Sequence, residues 1–192
     1  MIDFLIAAAI VAVIIRIVAV FNSVIRRKNM VENAFASIDA MLKRRNDLIP
    51  NLIDCVNQYM IYERGLMERL TQWRTEAVNL SPGSPEKQSL DGRIEDGIRS
   101  LFAVAEGYPS LKANDNFLQL QGAVNEVEDQ IAAARRAFNA AVTDYNNALQ
   151  TFPWCAAARI LGYEDKKWFE VEDENERKPV SVKEYFKTAE GK

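Results

Sequence analysis

Histidine is absent from this chain of 192 residues. Its absence excludes Ser/His and Cys/His nucleophile pairs, the usual zinc sites and the Glu-x-x-His di-iron pattern of helical bundles. The two cysteines, Cys55 and Cys155, match no metal-ligand or redox spacing and are expected to be small core residues. An enzyme built on this chain would depend on carboxylates, Lys, Tyr or Ser, and no metal or cofactor site is predicted.

An excess of positive charge is also missing. The chain has 24 Lys and Arg against 27 Asp and Glu, which gives a net charge of -3. A nucleic-acid partner would need a basic face to displace the counterions of the phosphates, so no such partner is expected. The length suits one domain with a core of its own.

The longest apolar run covers residues 4–25, close to the roughly 20 residues that a helix needs to cross a bilayer. A signal peptide would carry a positive start and a small-x-small cleavage site, and this run has neither, so it is predicted to be a retained anchor. Arg26, Arg27 and Lys28 follow the run, whereas only Asp3 and the amino terminus precede it. The positive-inside rule therefore predicts a single-pass protein with the rest of the chain in the cytoplasm.

Arg16 lies near the middle of this run, where an arginine is costly. On a helical wheel it shares one sector with Ala8, Ala12 and Ala19, and small residues at this spacing let helices approach closely. One hypothesis is that this face contacts another anchor in an oligomer. The other is that Arg16 extends its guanidinium toward the cytoplasmic headgroups from a short, tilted anchor.

Two heptad patterns follow the anchor. The first covers residues 31–77 without a phase slip at Pro50 and predicts one kinked helix over residues 28–79. The second covers residues 114–152 and predicts a long central core helix, with a bulky residue at every seventh position and mostly alanine three residues later. The bulky positions are Phe117, Val124, Ile131, Phe138, Tyr145 and Phe152.

Two positions of the first heptad seam are charged, Arg45 and Glu63. Buried charges need partners or water, so one hypothesis pairs Arg45 with an acid of the long helix. The alternative is that both charges lie where the seam is open to solvent. The candidate acids for Arg45 are Glu126, Glu128 and Asp129.

Turn and cap residues delimit the other helices. Ser84 and Pro85 predict the start of a helix that continues to about residue 105. Asn114 or Asp115 is predicted to cap the long helix, and Gly162 to end a short helix that follows it.

The predicted fold is all-α. Residues 1–28 form a single N-terminal transmembrane helix with a basic flank, and residues 29–162 form an elongated antiparallel helical bundle of four-helix type. That bundle has a long kinked first helix, a long third helix and a short fourth helix. Residues 163–192 form an acidic C-terminal tail, predicted to extend partly along the bundle.

Three stretches of the chain resemble one known family. They are residues 37–52 (SIDAMLKRRNDLIPNL), 105–114 (AEGYPSLKAN) and 131–139 (IAAARRAFN), followed by Tyr145-Asn146 and Phe152-Pro153. In this order behind a single N-terminal span, they are similar to the LemA family over about residues 20–162. The resemblance implies a bacterial, membrane-anchored helical bundle with its soluble part in the cytoplasm and with no established enzymatic activity. It also implies a link to membrane organisation, which for some members concerns the magnetosome membrane.

Three functions are compatible with these observations. The first is a non-catalytic scaffold that self-associates at the cytoplasmic membrane through its anchor or its polar helix faces. The second is an adaptor that binds another protein through helix faces or the tail, where Trp168 and Phe169 are the candidate contacts. The third is an enzyme using carboxylates such as Asp39, Asp47 and Glu63, although the first two lie about 12 Å apart along a helix, too far for a shared acid/base site.

Overall fold

The computed structural model describes residues 1–169, and the rest of the predicted tail lies outside the described part. All regular structure within residues 1–169 is helical. A short 3-10 helix, Ile61–Glu63, lies between the first two α-helices. The α-helices are α1 (Ile2–Asn57), α2 (Arg64–Asn79), α3 (Pro85–Ala105), α4 (Pro109–Lys112), α5 (Asp115–Gln150) and α6 (Trp154–Leu161).

The apolar N-terminal run and the first bundle helix form one continuous helix. α1 has 56 residues, and none of the residues in its most apolar stretch of 18 is buried by the rest of the protein. Among the described helices, α1 alone has the length and composition to cross a membrane. No loop therefore separates the predicted anchor from the bundle, and the basic residues that follow the anchor lie within the helix.

The prediction of one helix over residues 28–79 is wrong. α1 ends at Asn57, and the chain reverses before α2 begins at Arg64. Met60 leaves the helical conformation at φ -111 and ψ 58, and its side chain is fully buried in the core. The heptad spacing of apolar residues continues through this reversal of the chain. The reason is that α2 also buries its periodic apolar residues in the core that α1 contacts.

Ion pairs give the direction of α3. Asp39 of α1 pairs with Lys87 at the start of α3, and Arg45 pairs with Asp91 further along. Both positions advance together, so α3 runs parallel to α1. α2 follows α1 and precedes α3, with short connections on both sides. It is therefore antiparallel to both helices.

α5 runs antiparallel to α1 and forms the most extensive helix contact of the described chain. Arg27, near the middle of α1, pairs with Asp144 near the end of α5, whereas Arg45 pairs with Glu128 closer to its start. The C-terminal half of α1 thus packs with α2, α3 and α5 around an elongated core. The predicted kinked first helix is therefore two helices, and the predicted short fourth helix corresponds to α6.

The cap predictions are confirmed. The Ser84 hydroxyl accepts a hydrogen bond from the backbone N–H of Lys87, and Pro85 occupies the first turn of α3. The Asn114 side chain accepts from the first free N–H groups of α5. Gly162 ends α6 in the left-handed conformation at φ 65, which suits a residue without Cβ.

The long helix predicted over residues 114–152 is present as α5, with one correction at its end. Of the six bulky heptad positions, four are buried and Phe138 is half-buried, but Phe152 is 83% exposed. α5 ends at Gln150 and Thr151 is extended, so Phe152 lies outside the helix. Cys55 and Cys155 are half-buried, so the expectation that they lie in the core holds only in part.

Candidate functional site

Arg45 has the largest fully buried side chain of the described residues. Its Nη2 donates to the backbone carbonyl of Asp91 at 3.0 Å and to the Asp91 carboxylate at 3.2 Å. Its Nη1 donates to Glu128 at 3.3 Å. The predicted pairing with an acid of the long helix is confirmed for Glu128, and the solvent-open alternative is wrong for Arg45. Asp91 was not predicted as a partner, because only the apolar stripe of α3 was expected to face the core.

Burial controls the electrostatics of this cluster. It raises the pKa of Asp91 and the pKa of Glu128, and the Arg45 guanidinium opposes the rise at both carboxylates. The cluster couples three helices, since Arg45 belongs to α1 and its two partners belong to α3 and α5. Because the guanidinium is closed off from solvent, the cluster is a structural brace in the core.

The carboxylates considered as catalytic groups are dispersed. Asp39 pairs with Lys87 at 2.8 Å, Asp47 is exposed on α1, and Glu63 is half-buried in the 3-10 helix. Among residues 1–169, no group of three or more Cys, Asp or Glu side chains is placed to hold a metal ion. The described residues thus do not bring these carboxylates together.

A second site lies where α6 packs against α1, and we call it the α1–α6 junction. Val24, Ala157 and Ala158 are buried there, with Phe21 and Trp154 packed around them. Residues 1–19 have no such cover and are exposed. The junction therefore marks the level at which α1 passes from a bare apolar helix into the bundle.

The three basic residues after the apolar run differ in their contacts. Arg26 is exposed, whereas Arg27 bonds to the carboxylate of Asp144 at 2.9 Å and lies 5.8 Å from the Trp154 ring centroid. The Nζ of Lys28 lies 5.2 Å from the ring centroid of Tyr163. Two of the three predicted orienting cations thus also fasten the C-terminal part of the described chain to α1.

The predicted assembly face is exposed along its whole length; it consists of Ala8, Ala12, Arg16 and Ala19. Ala12 and Arg16 also border an open apolar groove between α1 and α6. Within the described chain, the anchor face is thus accessible to a partner or to lipid, and its middle positions adjoin α6. The α6 side of the groove is formed by Phe152, Pro153, Ala156, Ala157 and Ile160.

The first seven residues of the predicted tail lie along α5 without regular secondary structure. The Asn146 side chain donates to the carbonyl of Lys166 at 2.8 Å and accepts from its N–H at 3.0 Å. Asn139, seven residues earlier, makes the same pair of bonds to Phe169 at 3.1 and 2.8 Å. Both asparagines belong to the stretches that carry the family resemblance, but their contact with the tail was not predicted. Their spacing of seven residues beside an apolar seam is the signal that could have predicted it.

The candidate partner-binding residues differ in exposure. Phe169 is half-buried against the middle of the core, and the guanidinium carbon of Arg135 lies 5.0 Å from its ring centroid. Trp168 is 51% exposed, and its indole Nε1 donates to the hydroxyl of Thr143 at 3.0 Å. Of the two candidates, Trp168 therefore presents the larger accessible surface.

The fold and the junction define a helical-bundle protein that carries a candidate transmembrane helix. The chain belongs to the LemA family, since the model of that family matches residues 34–183. The predicted resemblance is thereby confirmed.

The similar proteins include bacterial magnetosome proteins and a LemA protein. Magnetosome protein MamQ 1 of Paramagnetospirillum magneticum is 24% identical over 187 residues, which cover 84% of this chain and 69% of its own. Magnetosome protein MamQ of Magnetospirillum gryphiswaldense is 24% identical over 188 residues, 81% of this chain and 69% of its own. Protein LemA of Metamycoplasma hominis is 29% identical over 141 residues, 72% of this chain and 64% of its own.

Proposed function

We propose that this protein is a non-catalytic scaffold of the LemA type, held in the bacterial cytoplasmic membrane by the first part of α1. The observation that carries the proposal is the bare apolar segment of α1, whose exposed large side chains run from Ile2 to Val18. In water such a surface promotes aggregation, whereas in a bilayer it is solvated by acyl chains. Because the same helix continues into the bundle, the bundle is carried rigidly on the anchor.

The proposed orientation places the bundle in the cytoplasm. Arg26 is exposed just after the span, and Arg27 and Lys28 add positive charge beside it while they contact Asp144 and Tyr163. The residues directly before the apolar run include the acidic Asp3 and no Lys or Arg. This asymmetry favours retention of the basic end on the cytoplasmic side.

Self-association is proposed to use the anchor or the polar helix faces. The described bundle fills its core with its own helices, so its heptad seams are not open to another copy. The accessible small-residue face is the strip of Ala8, Ala12, Arg16 and Ala19. Close approach of two anchors along alanines is a common mode of helix association in lipid.

Disulfide crosslinking in membranes tests this assembly. Both native cysteines are first replaced by alanine, and single cysteines are then introduced along the span. Cysteines at Ala8 and Ala12 are expected to crosslink efficiently, whereas cysteines at Ile10 and Ile14, on the opposite side of the helix, should crosslink weakly. Equal, weak crosslinking from all four positions would contradict a packed anchor interface.

The relatives named as magnetosome proteins support a role in membrane or envelope organisation. A rigid module on one anchor, repeated by self-association, holds membrane components at a fixed distance. The dispersed carboxylates and the pairing of Asp39 with Lys87 favour this role over catalysis.

A second candidate function is an adaptor that binds another protein through the tail. The half-exposed indole of Trp168 favours it, because aromatic side chains at a polar surface are common anchors of interfaces. Comparison of crosslinked partners with and without residues 163–192 separates the candidates. Unchanged partners after the deletion would remove the tail as the binding element.

A further inference from the structure

α6 has an apolar face that the described bundle does not cover. Ala157 and Ala158 are buried against α1, but Ala156 and Ile160 on the other side are exposed, as is Phe152 before the helix. The exposed positions are four residues apart, and Ala156 and Ile160 are neighbours on one face of the helix. Phe152 is 83% and Ile160 is 74% exposed, which is unusual for large apolar side chains so close together.

This stripe of Phe152, Ala156 and Ile160 continues the apolar surface of the anchor. The stripe forms one wall of the groove whose other wall includes Val13 and Ile17 of α1. These α1 residues belong to the segment that lacks protein cover. The stripe therefore lies beside the last turns of the span and not beside the polar part of the bundle.

The position of α6 relative to the span is fixed by contacts at both of its ends. Arg27 bonds to Asp144 near the end of α5 and packs over Trp154 at the start of α6. Tyr163, two residues after the end of α6, packs with the same cluster in which Val24 is fully buried. Because both ends are held, α6 keeps its position beside α1.

The length of α1 agrees with this placement. The apolar run continues to residue 25, but the part of α1 without protein cover ends at about Val20. From Ile2 to Val20 the helix rises about 27 Å, close to the thickness of a hydrocarbon core of roughly 30 Å. The groove residues of α1 all fall in the second half of that length or directly after it. Arg16 and Arg159 are both exposed on these helices, and long basic side chains in such positions can reach the headgroups.

We propose that α6 is a second membrane element, a short interfacial helix whose stripe contacts lipid acyl chains in the leaflet next to the bundle. The inference rests on the proposed anchoring by α1. It adds that the bundle touches the bilayer at two places, which fixes its tilt.

Spin-label accessibility tests the proposal on the full-length chain in vesicles of phosphatidylethanolamine and phosphatidylglycerol. The native cysteines are replaced by alanine, and one nitroxide at a time is attached at position 152 or 160. Position 10 in the span is the lipid reference. Position 100, exposed at the end of α3 that lies away from the span, is the aqueous control. Accessibility to oxygen reports lipid, and accessibility to a water-soluble nickel complex reports solvent.

The labels at positions 152 and 160 should resemble position 10, with more oxygen contact and less nickel contact than position 100. Nickel contact at 152 and 160 equal to that at 100, with position 10 still in lipid, would overturn only this inference. Low contact with both reagents together with dipolar broadening would place a second copy on the stripe, which also overturns it. Nickel contact at position 10 would overturn the anchoring as well.

Discussion

Arg74 of α2 donates a hydrogen bond of 2.8 Å from its Nε to the backbone carbonyl of Asn46 in α1. In an uninterrupted helix this carbonyl would accept from the N–H four residues later, but that residue is Pro50, which has none. The guanidinium thus satisfies the acceptor that the proline leaves free. This bond helps α1 to pass through Pro50 as one helix, and it fastens α2 to α1 at the same point.

A double-mutant cycle tests this relationship. Arg74→Ala should lower the free energy of unfolding of the bundle by about 1.5–3 kcal/mol, the range for a hydrogen bond from a charged donor. In a Pro50→Ala background the same change should cost less, because alanine at position 50 supplies the missing N–H. Urea unfolding of the full-length protein in detergent, followed by circular dichroism, gives the four values. Arg69→Ala on the exposed side of α2 is the control, and an equal cost of Arg74→Ala in both backgrounds would refute the coupling.

The buried cluster of Arg45 gives a prediction with a defined pH dependence. Arg45→Met removes the cation that opposes the raised pKa of Asp91 and should cost about 3–5 kcal/mol at neutral pH. A carboxyl whose pKa is raised by folding destabilises the folded chain fully above that raised pKa, and the destabilisation is relieved as the pH falls from the raised pKa to the ordinary one. The cost of Arg45→Met in unfolding free energy should therefore shrink on acidification from about pH 7 toward the ordinary pKa of an aspartate, about 4.

The double variant Arg45→Met with Asp91→Asn is the matched control for that pH dependence. It removes the buried carboxyl together with its cation, so its unfolding free energy relative to the native chain should change less with pH. A single variant Arg45→Met whose cost stays constant over the same pH range would show that Asp91 is not the group responsible.

Alanine substitutions at two glycines of α3 are expected to change the stability of the fold in opposite directions. A Cβ at Gly97 would lie 2.7 Å from Cδ2 of Leu70 and 3.1 Å from Cζ3 of Trp73, so Gly97→Ala should cost about 1–3 kcal/mol through overpacking. A Cβ at Gly92 would meet nothing within 4 Å. Gly92→Ala should therefore stabilise the helix by about 0.5–1 kcal/mol. Thermal unfolding measures both, and equal effects at the two positions would contradict the close contact of α2 and α3 at Gly97.

The hydrogen bonds of the α5 asparagines should protect two backbone amides of the tail from hydrogen exchange. Asn146→Ala should accelerate hydrogen exchange at the amide of Lys166, and Asn139→Ala should do so at Phe169, because each amide loses its acceptor. Exchange followed by mass spectrometry or NMR measures this directly. Asn147→Ala, at an exposed position next in sequence, should leave both amides unchanged. The same protection in all three variants would contradict these side-chain hydrogen bonds.

The heptad patterns predicted the content of the core better than the path of the chain. They placed Arg45 in the seam and Glu128 among its candidate partners, since both follow from periodicity. They missed the reversal near Met60 because a heptad records which positions are buried and carries no information on the direction of the helix. Residues 58–63 contain no Gly or Pro to signal a turn.

The wrong position predicted for Phe152 has a related cause. Phe152 continues the heptad in sequence, yet α5 ends two residues earlier, and its ring borders the groove between α1 and α6. A periodic pattern cannot distinguish a last seam residue from an apolar residue on an open surface, because both environments accept the same side chains. The α1–α6 junction depends on contacts between residues that are more than 100 positions apart in sequence, and local periodicity contains no trace of them.

The most direct test of the proposed scaffold is the mass of the full-length protein in lipid discs over a range of protein concentrations. We expect discs that contain more than one copy, with the higher masses lost when Ala8 and Ala12 are replaced by leucine, since bulkier side chains prevent close approach of the anchors. Leucine at Ala7 and Val18, which lie outside the assembly face, is the control and should preserve the assembly. A single copy per disc at every concentration would contradict self-association and leave the adaptor as the better explanation.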